Sequence, residues 1–135
     1  MATKVFINLP VKNLEASMQF FTALGYTFNP QFTDEKAACM VISDSIYAMM
    51  LQEDYFKTFT KKPVSDAKKA TEVLIALDAA SREEVQEIVA KAKQAGGNIY
   101  NEPSDYGWMY QHSFEDLDGH QWEIAYMDMS QMPTE

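Results

Sequence analysis

Apolar and polar residues alternate over Val5, Phe6, Ile7, Asn8 and Leu9, the period of a strand with one covered face. The pattern then changes to helical spacing, with Leu14, Met18, Phe21 and Leu24 on one stripe. Asn13 is placed to cap this helix, predicted over 14–24, and Gly25 to end it. The same succession returns later. Val73 to Leu77 predicts a strand, Ser81 and Glu84 form a capping-box pattern, and Val85, Ile88, Val89 and Ala92 line a helix over 82–95 before Gly96-Gly97. After each helix the chain reads as short strands: 26–32, 38–43 and 46–52 in the first half, and 98–101, 108–115 and 120–127 in the second. A loop separates the first two of the latter set at 102–107. The expected fold class is therefore α+β, a βαβββ order repeated in tandem. Module one runs over about 1–62, module two over about 70–128, and 129–135 forms a surface tail. A linker at 53–63 carries Tyr55, Phe56 and Phe59 at the spacing of a short amphipathic helix.

Superposing the halves aligns Phe6 with Leu74 and Met49 with Glu123. Period-two logic packs Val5, Ile7 and Leu9 on a helix and turns Phe6 and Asn8 to the opposite face. Of the four aligned positions only Glu123 offers a donor suited to a hard metal ion.

Composition narrows the partners. With 135 residues, 47% hydrophobic and 13% aromatic, the chain has ample material for a core. A net charge of −9 repels phosphate backbones and anionic bilayers, so neither nucleic acid nor membrane is expected as a partner. The start of the chain shows no leader pattern and the single cysteine, Cys39, permits no internal disulfide, which points to a cytoplasmic protein. Lys57, Lys61, Lys62, Lys68 and Lys69 are the one basic cluster. They read first as a solvated linker face, with an anion site as the alternative.

Several residues could carry chemistry. Glu123 reads either as a general base or as a hydrogen-bonded wall carboxylate. If 116–119 is the hairpin loop, Glu115 pairs with His120, and His112 then falls opposite Glu123. That cross-strand contact would raise the imidazole's proton affinity, as an acid–base pair or a structural one. His120 and Glu123, three apart on a strand, face opposite sides and cannot converge. Tyr47, Trp108, Met109 and Tyr110 sit on strands where aromatics and methionine make either a binding wall or plain core.

The tandem unit, with Val11-Lys12-Asn13-Leu14-Glu15-Ala16-Ser17, Phe20-Phe21 and Leu24-Gly25 early and Glu115 to Glu123 near the end, resembles the vicinal oxygen chelate superfamily. That group holds glyoxalase I, extradiol dioxygenases, fosfomycin resistance proteins and bleomycin-binding proteins. The resemblance is greatest to the glyoxalase-like proteins labelled predicted lactoylglutathione lyases. It implies curved sheets around a central cavity with helices outside, and a homodimer. It also implies metal ligands from the first and last strand of each half. Here these become Phe6, Met49, Leu74 and Glu123, a degenerate set, so no metal cofactor is expected. The implied function is small-molecule binding in the cavity, with Phe6, Asn8, Tyr47, Met49, Leu74, Trp108 and Tyr110 as wall residues. The alternative is a glyoxalase-type lyase or other small-carbonyl enzyme using Glu123 with His112.

Overall fold

A computed structural model describes residues 1–133. The chain divides into two compact units, the first ending at Asp66 and the second beginning at Ala67. The first unit contains β1 (Val5–Val11), α1 (Leu14–Ala23), β2 (Thr27–Phe28), β3 (Ala37–Val41), β4 (Ile46–Gln52) and α2 (Glu53–Phe56), with a 3-10 turn following α2 at Lys57–Phe59. The second contains β5 (Leu74–Asp78), α3 (Arg82–Gln94), β6 (Ser104–Asp105), β7 (Met109–Glu115) and β8 (Gln121–Met127). Each unit is one four-stranded sheet, ordered β1-β4-β3-β2 and β5-β8-β7-β6. In both, the first strand pairs parallel to the last and the remaining pairs are antiparallel. The βαβββ order read from the pattern is thus present twice. Among the described residues no helix is long and apolar enough to cross a membrane.

Local chemistry explains the helices. The Asn13 side chain accepts from the Ala16 amide at 3.0 Å and starts α1; Gly25, at φ 106°, ends it. Leu14, Ser17, Phe20, Phe21 and Leu24 are buried, leaving Met18 only half covered. Leu9, Val11, Ala48 and Met50 are the buried alternation beneath this helix, each worth about 1.5–3 kcal/mol where the side chain is large. In the second unit Ser81 Oγ accepts from the Glu84 amide at 3.1 Å, and Val85, Val89 and Ala92 are buried over β7 and β8. The Arg82 guanidinium lies 5.0 Å from the Tyr110 ring centroid, so Tyr110, Phe114, Trp122 and Ile124 share the helix-covered face.

Three expectations need correction. The strand expected over 26–32 shrinks to β2 because Pro30 has no N–H to give a ladder. Asn29 caps a 3-10 turn there instead, accepting from the Gln31 amide at 2.9 Å. The weak strand at 98–101 reduces to an isolated bridge between Asn98 and Glu115. The loop at 102–107 holds β6, paired to β7 through Ser104–Gln111 and Asp105–Tyr110. In the tail, Met129–Gln131 forms a 3-10 turn; its last two positions lie outside the described residues.

The β7–β8 connection is a five-residue loop built on one carboxylate. Asp116 is buried, and its Oδ1 accepts from the Asp118 and His120 amides at 3.0 Å. Its Oδ2 accepts from Trp122 Nε1 at 3.0 Å. Burial pushes this carboxyl above its usual range, against the pull of His120 and the Trp122 hydrogen bond. Gly119 completes the loop at φ 91°, and a Cβ there would lie 2.7 Å from the Lys68 amide nitrogen and 2.9 Å from the Ala67 carbonyl carbon. Backbone on the far side cannot yield cheaply. Gly119→Ala is therefore expected to cost about 2–4 kcal/mol, combining conformational strain with a forced backbone shift. Gly25→Ala, at φ 106° with nothing within 4 Å, should cost only about 1–2 kcal/mol. Urea unfolding of the two variants checks the difference; equal losses would refute the close-approach argument.

Candidate functional site

Because each helix covers one face of its sheet, period-two alternation leaves a second face uncovered by it. In the first unit this open face carries Phe6 and Asn8 from β1, Tyr47 and Met49 from β4, and Cys39 from β3. Phe6 pairs with Tyr47, Asn8 with Met49, and Cys39 with Met49. The Phe6 and Tyr47 rings are stacked, centroids 4.9 Å apart and planes inclined by 10°. Phe6 is 52% exposed, a large apolar ring held outward. Tyr47 is fixed by donating its hydroxyl to the Asp44 carbonyl at 2.8 Å, and Lys4 Nζ lies 5.8 Å from its ring centroid. Cys39 is buried, and desolvation raises its thiol's pKa, which suits an inert side chain.

In the second unit the open face carries Leu74 and Ala76 from β5, Gln121 and Glu123 from β8, and Gln111 and Ser113 from β7. Leu74 pairs with Gln121 and Ala76 with Glu123, the same register as Phe6–Tyr47 and Asn8–Met49. The structural repeat therefore matches Phe6 to Leu74 and Met49 to Glu123, as the sequence alignment has it. Glu123 is half-buried. Among the described residues its carboxylate makes no ion pair or side-chain hydrogen bond. Leu74 is 53% exposed.

The expected pairing of His112 with Glu123 is not formed. Ser113 stands opposite Glu123, and His112 stands opposite Ile124 on the helix-covered face. The physical reason is Asp116: by bonding the His120 amide it draws His120 into the loop, so Glu115 pairs with Gln121 and the register moves by one. His112 Nε2 instead lies 2.8 Å from the Asn101 carbonyl oxygen. Tyr110 is likewise buried under α3 and does not line the open face. Trp108 precedes β7, half-buried, with its carbonyl accepting from the Asp128 amide at 2.7 Å. Ser113 and Gln111 were missed by the sequence reading. Their signal was the Asp116 side chain, an Asx-type acceptor able to close a loop two and four residues on.

Comparison with known proteins fits this architecture. The N-terminal part, residues 3–43, matches the family described as bleomycin resistance protein-like N-terminal. A hypothetical protein from S. aureus is 31% identical, with a TM-score of 0.79, over 93% of this chain and 95% of that one. A glyoxalase/bleomycin resistance protein/dioxygenase family enzyme from Burkholderia phytofirmans is 14% identical, TM-score 0.74, over 90% and 96% of the two chains. The fold is the one these glyoxalase/bleomycin resistance proteins share, in keeping with the resemblance to the vicinal oxygen chelate superfamily. A fosfomycin resistance protein from Mesorhizobium loti shares the fold at 12% identity, TM-score 0.69, over 97% of each chain. No curated protein matches by sequence.

Metal-dependent members of the vicinal oxygen chelate superfamily imply a divalent ion, and the donor chemistry here does not fit one. Phe6 and Leu74 have no donor atom, and the Met49 thioether is a soft ligand unsuited to hard cations. Among the described residues no three His, Cys, Asp or Glu side chains gather into a ligand set.

A separate polar cleft of 390 Å³ lies against the start of α3, lined by Ser81, Arg82, Glu83, Gly107, Tyr126, Asp128 and Gln131. Its cation is already engaged. Arg82 donates to both Asp105 oxygens at 2.8 and 2.7 Å and to the Gly107 carbonyl at 3.3 Å. Asp105 also accepts from the Gly107 amide at 2.9 Å. The cleft is bordered by a clamp that ties the two-residue strand β6 to α3. The Arg82 hydrogen bond, then the Gly107 amide, lowers the Asp105 carboxyl to about 2. A depressed carboxylate contributes stability above its unfolded value, near 3.8, and loses it as pH falls toward 2. Wild type should therefore lose melting temperature between pH 4 and 2 more steeply than Asp105→Asn. The difference should shrink in high salt because the pair is exposed. Parallel acid limbs for the two proteins would refute the assignment.

Proposed function

We propose that this protein binds a small molecule on its open sheet faces without the superfamily's metal. The observation that carries this reading is the exposed Phe6 ring stacked on Tyr47, with Phe6 itself at a position where metal-dependent relatives need a donor. Stacked rings held by backbone register form a preorganised platform, and such aromatic contacts contribute about 0.5–1.5 kcal/mol beyond burial. Asn8 and Met49 extend this wall on the first unit, with Met adapting to ligand shape, and Leu74 stands at the equivalent of Phe6 on the second. The net charge of −9 favours neutral or cationic ligands. Exposed apolar residues at the start of β1 and β5, Val5, Phe6, Val73 and Leu74, support a homodimer as the working assembly.

A second reading is favoured by Glu123. A half-buried carboxylate that makes no ion pair among the described residues, cross-strand from Ser113, is suited to move a proton on a small carbonyl compound. Without His112 beside it, Glu123 acts alone in that reading.

Bleomycin and a panel of neutral and cationic aromatic compounds should show saturable binding by titration calorimetry. Phe6→Ala and Tyr47→Ala should each weaken it about 2- to 10-fold. Elemental analysis should find no stoichiometric metal, and nickel, zinc, manganese or ferrous iron should leave the melting temperature unchanged. One tightly held ion per chain would overturn the metal-free reading. Turnover of a hemithioacetal that disappears in Glu123→Gln would move the conclusion to the enzyme.

A further inference from the structure

Four of the nine methionines stand at one corner of the second unit, within the segments 109–115 and 121–132. Met109 opens β7 and Met127 closes β8, directly across the ladder from each other, which sets their Cβ atoms about 5 Å apart. The Asp128 amide donates to the Trp108 carbonyl at 2.7 Å and carries the pairing one residue further. The chain then enters the 3-10 turn Met129–Gln131. Local bonds hold that turn: Asp128 Oδ1 accepts from the Ser130 amide at 3.1 Å and from its hydroxyl at 2.6 Å. The Gln131 amide donates to the Asp128 carbonyl at 3.0 Å, and the Met132 amide to the Met129 carbonyl at 3.3 Å. Positions three apart in a 3-10 turn eclipse, so Met129 and Met132 leave the backbone on the same side.

Burial does not account for these side chains. Met127, Met129 and Met132 are 44%, 62% and 44% exposed, and Met109 is half-buried. One outward apolar residue needs no explanation, but three within six residues do. What methionine offers beyond leucine is a polarizable sulfur on a chain of three rotatable bonds. A neutral thioether is a poor donor to hard divalent cations and a good one to Cu(I). Hard donors do not complete a competing site: Asp128 Oδ1 is taken by Ser130, and among the described residues no three His, Cys, Asp or Glu side chains gather. The sulfurs bring no charge of their own, and the chain's net charge of −9 attracts a cation at longer range.

We infer that Met127, Met129 and Met132, with Met109 across the strand, form a binding site for a soft monovalent metal ion, the cuprous ion. The strand end and the capped turn fix where the three exposed residues start, and their flexible side chains close on the ion. This set is separate from Phe6, Met49, Leu74 and Glu123. Met127 lies four residues beyond Glu123, about 13 Å along β8. Divalent ions therefore report on Glu123 and its equivalents, and the cuprous ion reports on the methionines. Thioethers have no proton to lose near neutral pH, so binding here is independent of pH, whereas thiolate and imidazole sites bind in competition with protons.

Anaerobic titration calorimetry of the whole chain with the cuprous acetonitrile complex tests this, together with silver nitrate added to protein carrying 13C-labelled methionine methyls. The expected result is one ion per chain, with equal affinity at pH 5.5 and 7.5. The methyl resonances of Met127, Met129 and Met132 should shift, while those of the buried Met40 and Met50 stay in place. Met129→Leu/Met132→Leu keeps size and apolarity but removes two donors, and should weaken binding about tenfold or more. Met18→Leu, in the first unit, should bind as wild type does. Absence of binding, equal weakening in Met18→Leu, or shifts confined to other methionines would overturn the site. So would an affinity that falls about tenfold per unit of falling pH, the mark of the Cys39 thiolate, or tighter binding of zinc than of the cuprous ion.

Discussion

The parallel pairing of the first strand with the last is the constraint on which both units depend. A parallel neighbour cannot be reached by a tight turn, so the chain must leave the sheet and return. In each unit it leaves as a helix and returns through antiparallel strands, closing β1 on β4 and β5 on β8. That route places the helix on one face and leaves the other face without one. The burial of Phe20, Phe21 and Met50 in the first unit, and of Val85, Val89 and Trp122 in the second, is the stabilising side of this arrangement. The open faces carry the Phe6–Tyr47 stack in the first unit and Glu123 in the second.

Asp116 shows how one buried charge can decide what a face presents. Its carboxylate is desolvated, which alone would favour the neutral acid, yet it gathers two amides and an indole N–H around itself. Those donors make a five-residue loop more favourable than a shorter one. The loop length sets the β7–β8 register, and with a side-chain period of two, a shift of one residue exchanges the faces. Ser113 stands across from Glu123 for that reason, while His112 turns toward the helix side and the Asn101 carbonyl.

The two units repeat a backbone and not a chemistry. Equivalent positions hold Phe6 and Leu74, Asn8 and Ala76, Met49 and Glu123, and Cys39 and Ser113. Apolar contacts dominate the open face of the first unit and oxygen-bearing side chains that of the second. A scaffold shared with glyoxalase/bleomycin resistance protein/dioxygenase and fosfomycin resistance proteins thus presents, in this chain, two open faces of different chemistry.

Local information sufficed for much of this. The two helices were legible because Asn13, Ser81 and the apolar stripes act within one or two turns, and β4 was legible from its alternation between turns. The tandem order and the match of Phe6 to Leu74 and Met49 to Glu123 followed from that same local pattern. The short β2 was misread because the Asn29 cap and the missing Pro30 donor outweigh the apolar character of the stretch. β6 was invisible since two residues, Ser104 and Asp105, carry no periodicity; the Arg82 clamp, 23 residues away in sequence, holds one of them. The placement of His112, Tyr110 and Ser113 was decided only by tertiary structure. Their faces depend on a register fixed by a buried side chain's hydrogen bonds, and sequence spacing does not record where those bonds close.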